Sequence, residues 1–444
     1  MTKVLMINKT CIAFALLVSL GLDASHLHGQ TGFAGYWKGR ASYQGDDLPI
    51  EIGLEPAPSG LAGFVSAPTI RAHRYPLRNI SAADANLTFD LTGDTGSFPF
   101  TGTVNGDSLT GSWNLFGVSA TVSMIRGVPP RIPYTREAVT CHSGDVMLAG
   151  TLLVPSGNGP HPAVVFVHGS GSETRDASSF LADHLSREGL ASLTFDKRGA
   201  GASNGDWREA DFSDLAEDVL ACVEVLKARR DINRTKIGLA GASQAGWVAP
   251  LAAARSSDIA FVALISGPAV PVWREGWWNT EFQLRDRGFG TTEFDKARAI
   301  LRLNDEVTRT GRAFEELQQL VAAQRNDPWF PALGFQQLPP PDAPFRRFYR
   351  RIIDFDPSPI LQRISIPTLW LLGDRDAEMP SEETAEILQR LKAQGKNVTV
   401  RMFSGADHSL FVAAEQGQSF RWPRLVPGYI DAFTEWIKAT VKRA

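Results

Sequence analysis

The chain has 444 residues, more than one hydrophobic core usually serves, so two or three domains are expected. Apolar residues make up 43% and charged residues 21%, an ordinary balance that excludes wholesale disorder. A net charge of -3 with no run of Lys or Arg leaves nothing to attract a phosphate backbone, so nucleic acid is not an expected partner.

Lys3 and Lys9 precede the apolar run CIAFALLVSLGL (residues 11–22), and a short polar segment closes near Gly29 or Gln30. This layout predicts a secretory signal peptide over residues 1–29, too short for a comfortable transmembrane span. The expectation is a secreted or periplasmic protein with no integral membrane span once the signal is removed. Cys141 and Cys222 then remain, and either one disulfide or two lone buried thiols would satisfy them. No Cys or His pair has metal-ligand spacing and no HExxH occurs, so no metal is expected.

Residues 30–128 read as an antiparallel β domain. GYWKGRASY, LPIEIGLEP, ANLTFDLTG, FPFTGTVNGDSLTGSW and VSATVSMI alternate apolar with polar or small residues, and Gly, Pro, Asn and Asp punctuate them at hairpin distances. Asn105-Gly106 is a strong tight-turn signal. The pattern fits a small barrel or sandwich. No titratable cluster converges here, so its default role is structural, with ligand binding in a barrel mouth as the lesser reading.

The proline-rich RGVPPRIPYT (residues 126–135) links to a different pattern. AVVFVHG, LASLTFD, KIGLAGA and IAFVALISG are apolar runs expected of strands buried on both faces. SSFLADHLSREG, FSDLAEDVLACVEVLKARR and QAGWVAPLAAARS between them read as helices, the first capped by Asp176 or Ser178. Such alternation predicts βαβ units and a mostly parallel sheet over residues 129–270 and 358–444. It stops over residues 271–357, where TTEFDKARAILRLNDEVTRT and RAFEELQQLVAAQRN are helical and WREGWW, DPWFPALGF and LPPPDAPF lie around them. An insertion of roughly 90 residues is not expected to be structureless.

Ser243 falls between KIGLAGA and QAGWVAPLAAARS, on a strand-to-helix turn. A sharp turn there strains the backbone and brings Gly241 and Ala245 against neighbouring strands, so both must be small. The backbone N–H of Gln244, at the helix start, is aimed where an oxyanion could form.

With these residues in view, the chain resembles the α/β-hydrolase superfamily from about Val139 onward. GASQA resembles its nucleophile elbow, with Ala245 where the final Gly usually stands. HGSGS (168–172) resembles the loop giving the second oxyanion N–H, from Ser170, and DKRGAGAS (196–203) the DxRGxGxS loop of many esterases and serine peptidases. The superfamily order of Ser, acid, His selects His408, the one His after Ser243. For the acid, GDRDAEMP offers Asp374, Asp376 and Glu378; the family spacing between Gly373 and Pro380 selects Asp376, with Asp374 as fallback. Asp407 serves the turn in this reading.

The resemblance implies a serine hydrolase that needs no cofactor, with residues 271–357 as a helical cap over the site. Trp277 and Trp278 in that cap either line an apolar substrate pocket or pack the cap itself. A small-molecule carboxylic ester is the expected substrate, as in secreted two-domain bacterial esterases with a β module ahead of the hydrolase. The alternatives are an aminopeptidase- or prolyl-peptidase-type enzyme, with Glu275 or Glu281 receiving a substrate amine, and a non-catalytic binding protein on the same fold.

Overall fold

The computed structural model describes residues 32–58, 60–93, 96–334, 337–412 and 419–443, so the expected signal segment lies outside the described residues. The first architectural unit is a closed eight-stranded barrel. Its strands are β1 (Gly35–Tyr43), β2 (Asp46–Ala57), β3 (Gly60–Ala67), β4 (Ala72–Ala83), β5 (Asn86–Gly93), β6 (Gly96–Asn105), β7 (Ser108–Leu115) and β8 (Val118–Gly127). Each pairs antiparallel with the next, and β1 closes on β8. Along β8 buried and exposed residues alternate, so one face of the strand turns inward.

That interior is filled rather than hollow. Phe89 faces Phe100 across β5 and β6, and Phe100 faces Trp113 across β6 and β7. The Phe89 and Phe100 rings stack at 4.4 Å. The Asn105-Gly106 signal is the β6–β7 turn, with Gly106 at φ 58°. The strands β3 and β4 escape the sequence pattern for a physical reason. Left-handed residues at Arg71, Arg74 and Asn79 break the alternation around and within β4.

The second unit is an eight-stranded sheet. The antiparallel hairpin β9 (Tyr134–Ser143) and β10 (Val146–Pro155) was not foreseen; it pairs with β12 (Ala191–Phe195) at one edge. From β12 the sheet runs parallel through β11 (His161–Val167), β13 (Ile232–Ala242), β14 (Ile259–Ile265), β15 (Thr368–Gly373) and β16 (Val398–Phe403). Helices α1 (Ser179–Arg187), α2 (Phe212–Lys227) and α3 (Ala245–Arg255) cover it early in the chain.

Helix α2 begins at a capping box in which Asp211 and Asp214 bond each other's backbone N–H. It buries Phe212, Leu215, Ala216, Val219, Cys222, Val223 and Leu226, the spacing of one apolar stripe. Cys222 on that stripe is joined by a disulfide to Cys141 on β9, with Cα atoms 5.1 Å apart. Ser178 stands at the N-cap of helix α1 as expected, but it makes no capping bond through its side chain. Ser179 Oγ donates to the Asp176 carbonyl, and lies 2.7 Å from the His73 carbonyl of the barrel as well.

Between β14 and β15 lie α4 (Val272–Asp286), α5 (Thr291–Thr310), α6 (Phe314–Gln324), α7 (Pro344–Ile352) and α8 (Ser358–Arg363). The WREGWW segment is therefore helical, on α4. Leu284, Ala297, Ile300, Leu301, Leu317 and Trp329 form a separate core for this insertion. After β15 come α9 (Ser381–Ala393) and α10 (Tyr429–Arg443). Before α10 the chain returns to the barrel and buries Trp422 in its core. Asp46 on β2 accepts from Trp422 N at 2.8 Å and also binds the Arg424 guanidinium, while Trp422 Nε1 donates to the Asp46 carbonyl at 2.9 Å. Among the described residues, no helix is long and apolar enough to cross a membrane.

Candidate active site

Ser243 sits where β13 ends and α3 begins, in the left-handed region at φ 56°. A non-glycine residue in that region is strained, and it persists because its surroundings fix it. Ser243 N donates to the Ile265 carbonyl at 3.0 Å, and Gly246 N donates to the Ser243 carbonyl at 2.8 Å. A Cβ on Gly241 would lie 2.4 Å from the Val167 carbonyl oxygen and 2.5 Å from Ala245 Cβ. Gly246 is equally confined, because its Cβ would meet Pro268 N at 2.6 Å. Both flanks of the turn are thus closed to side chains.

His408 and Asp376 meet across two loops that follow β16 and β15. The Asp376 carboxylate accepts from His408 Nδ1 at 2.9 and 3.1 Å. The same carboxylate accepts the N–H groups of Glu378 and Met379 at 2.8 and 2.9 Å, and Asp376 is 1% exposed. Burial disfavours a charged His408, but the Asp376 hydrogen bond and the charges of Asp376, Glu378 and Glu275 outweigh it and hold the imidazole above its ordinary pKa. Nε2 lies 3.7 Å from the Glu378 carboxylate. Ser243 Oγ forms no hydrogen bond with His408 among the described residues. Asp374 instead caps the Gly405 N–H at 2.7 Å, and Asp407 accepts from Ser409 N and Phe411 N.

Gln244 N and Ser170 N have no acceptor among the described residues, and each stands beside Ser243 or on the loop after β11. The DKRGAGAS loop supports that region from behind. Asp196 is a buried acceptor for Arg175 N, Nε and Nη2 and for Ala202 N. Gly201, at φ 53°, leaves room that a Cβ would close at 2.3 Å from Asp196 Oδ2. Arg198 forms a two-pronged pair with Asp218 of α2, both contacts at 2.7 Å. His168 Nε2 donates to the Phe195 carbonyl at 2.6 Å, and burial together with the Lys197 charge pushes its pKa down to about 3. It is neutral and tied to the scaffold.

The cap residues divide by what their side chains hold. Trp278 is buried and its Nε1 donates to the Asp376 carbonyl at 2.9 Å. Trp277 Nε1 donates instead to Asp305 on α5 at 2.9 Å, and its ring packs against the insertion's own core. Glu281 pairs with Arg274 and Arg298. The Glu275 carboxylate has no hydrogen bond or ion pair among the described residues. Burial pushes it up to about 7, against the pull of His408 and with the repulsion of Asp376 and Glu378. Sequence reasoning named Glu275 without any signal that it faces His408.

The barrel also reaches this region. Arg71, just after the short turn Pro68–Ile70, lines a cavity of about 120 Å³ together with Gly169, Gly241, Ala242, Ile265 and Phe180. Its guanidinium lies 5.2 Å from the centre of the Phe411 ring, on the His408 loop. No composition or periodicity signal marks that residue. It is visible only once the barrel is placed against α1.

A strained serine at a strand-to-helix turn, a buried acid bonded to a late-loop histidine, and a helical insertion after the middle of a parallel sheet define a hydrolase-type α/β architecture. The chain belongs to the alpha/beta hydrolase family, whose model matches residues 164–417, more than half of its length. It is 27% identical over 295 residues to esterase EstD of Thermotoga maritima, covering 64% of this chain and 62% of EstD. It is 29% identical over 121 residues to an uncharacterized 31.7 kDa protein of Escherichia coli, covering 27% of this chain and 42% of that protein. The match thus spans less than two thirds of either relative. Among solved structures, the Pyrococcus furiosus esterase Pf2001 is similar at 19% identity and a TM-score of 0.46, covering 72% of this chain and 96% of that one. A proline iminopeptidase of Mycobacterium smegmatis is similar at 15% identity and a TM-score of 0.46, covering 69% of this chain and 99% of that one.

Proposed function

We propose that the protein hydrolyses carboxylic esters through an acyl-enzyme on Ser243. The observation that carries the reading is the buried Asp376 holding His408 by Nδ1, which leaves Nε2 as the base, in a chain whose Ser243 occupies the strained turn. Ser243 Oγ bonds the ester carbon as its proton passes to His408 Nε2, and the carbonyl electron pair moves onto oxygen. The N–H groups of Ser170 and Gln244 receive that oxyanion. The imidazolium then protonates the leaving alcohol, and water repeats the sequence to release the acid. The esterase name of the Thermotoga relative supports the choice of substrate class. The N-terminal signal-like segment and the Cys141–Cys222 disulfide support a secreted or periplasmic setting.

A second reading rests on Glu275. A carboxylate with no hydrogen bond or ion pair among the described residues, buried and coupled to the His408 charge, could receive the ammonium of an aminoacyl substrate, as a peptidase would require. Turnover of p-nitrophenyl esters of graded chain length, set beside aminoacyl anilides, separates the two. Ester turnover lost in Ser243→Ala supports the first, and faster anilide turnover lost in Glu275→Gln supports the second. A fluorophosphonate that labels another serine, or leaves Ser243 unlabelled, overturns both.

A further inference from the structure

Lys197 is a lysine only 2% exposed whose ammonium is bonded to neutral oxygens. Its Nζ donates to the Gly169 carbonyl at 2.9 Å and to Gln244 Oε1 at 2.8 Å. The Trp207 ring centre is 5.4 Å away on another side. Burying an ammonium is costly unless it is well bonded, so a lysine here needs a reason.

The two acceptors supply one. The Gly169 carbonyl and the Ser170 N–H belong to one planar peptide unit, pointing in opposite directions. Whatever grips the carbonyl fixes the direction of that N–H and polarises it outward. Gln244 carries the other N–H of the pair, and its side chain is gripped by the same ammonium. We propose that Lys197 is the positioning residue of the oxyanion hole, one buried cation that sets both backbone donors from behind and adds positive potential where the oxyanion forms. The inference rests on the acyl-enzyme reading, because it needs an oxyanion to act upon.

The surroundings fit that role. Glu173, on the loop after β11, and Asp218, on α2, are the carboxylates that favour the charged lysine, Asp218 being already paired with Arg198. His168 is the remaining titratable neighbour and stays neutral. Burial, opposed by those two carboxylates, brings the Lys197 ammonium down to about 8. A lysine charged at neutral pH loses its grip as the pH rises through that value.

The test follows reaction of a fluorophosphonate at Ser243, which develops a charged oxygen in the same hole and requires no knowledge of the natural ester. In Lys197→Met the second-order rate constant should fall about 10- to 100-fold, somewhat less than loss of a whole oxyanion donor. With an ester substrate kcat should fall by a similar factor while KM stays near its wild-type value. In the wild type the reaction rate should rise with pH as His408 loses its proton, then fall above about pH 8, and Lys197→Met should lack the falling limb. A folded Lys197→Met protein that reacts at the wild-type rate overturns the inference and leaves the esterase reading intact. Should that variant not fold, the wild-type profile decides, and a rate that stays level to pH 10 overturns it. No labelling of Ser243 in the wild type removes the inference and the esterase reading together.

Discussion

The indole N–H of Trp278 on the cap helix α4 donates to the backbone carbonyl of Asp376 at 2.9 Å, tying the cap to the loop that carries the candidate acid. Asn279 adds a bond to the next carbonyl, that of Ala377, at 3.0 Å. Trp278→Phe keeps most of the ring and removes this bond. A neutral hydrogen bond contributes about 1 kcal/mol, so kcat/KM should fall about fivefold. The loss should be uniform across acyl lengths from acetyl to octanoyl. A loss that grows with chain length would show that the ring contacts substrate.

Asp376→Asn should cost about ten-thousandfold in kcat, because an amide cannot hold the Nδ1–H tautomer of His408 in the same way. Asp374→Asn should cost little, since that side chain caps Gly405 N–H and touches neither His408 nor Ser243. Steady-state rates of both variants on one short ester check the pair.

Ser243 is held at φ 56°, a region that glycine enters without strain. Ser243→Gly should therefore be more stable than Ser243→Ala, by about 1 kcal/mol, although both lose activity. Chemical denaturation of the two variants measures this directly. Equal midpoints would mean that the surrounding structure relaxes around the alanine.

The pH dependence follows from the raised pKa of His408. A base must be neutral, so a raised pKa keeps it protonated to higher pH and moves the rising limb of kcat/KM above the ordinary histidine range. Glu378 and Glu275 both contribute to the raising. Glu378→Gln should shift the limb to lower pH, and Glu275→Gln should do the same. A shift upward in either variant contradicts the sign.

The disulfide closes a loop across a sequence separation of 81 residues. Replacing Cys141 and Cys222 together by Ala should lower stability by about 4 kcal/mol in the chain-entropy account. Turnover at 25 °C should stay close to wild type, because neither sulfur lies in the Ser243 region. A fall in kcat without a fall in melting temperature would argue the reverse.

Legibility in the sequence followed local physics. Strands buried on both faces, such as β11 and β13, announce themselves as continuous apolar runs, and the Ser243 turn announces itself by its small residues. The hairpin β9–β10 and strands β3 and β4 were missed, the latter because left-handed residues interrupt the period of two. Helix α4 was hidden because its tryptophans look like loop aromatics until Trp278 is seen reaching Asp376. Lys197 lies within DKRGAGAS, and nothing in a string says which carbonyl an ammonium will find. Arg71 needed the barrel to be packed against α1 before it could be placed. Pairing of Cys141 with Cys222 likewise depended on where β9 and α2 lie, which spacing alone does not fix.

Trp422, fixed in the barrel by Asp46, stands a short way downstream of His408 on the same return of the chain. The loop bearing the imidazole follows β16 and bonds through Val412 N to the Arg424 carbonyl at 2.7 Å, so the segment beside it is the one held to the first domain. The barrel is in this respect a mooring post for the histidine, and it is not a detachable cassette. Excising it, or exchanging it for another β module, would leave Trp422 exposed to water and free of Asp46 the segment whose residues 424–426 bond to the histidine loop.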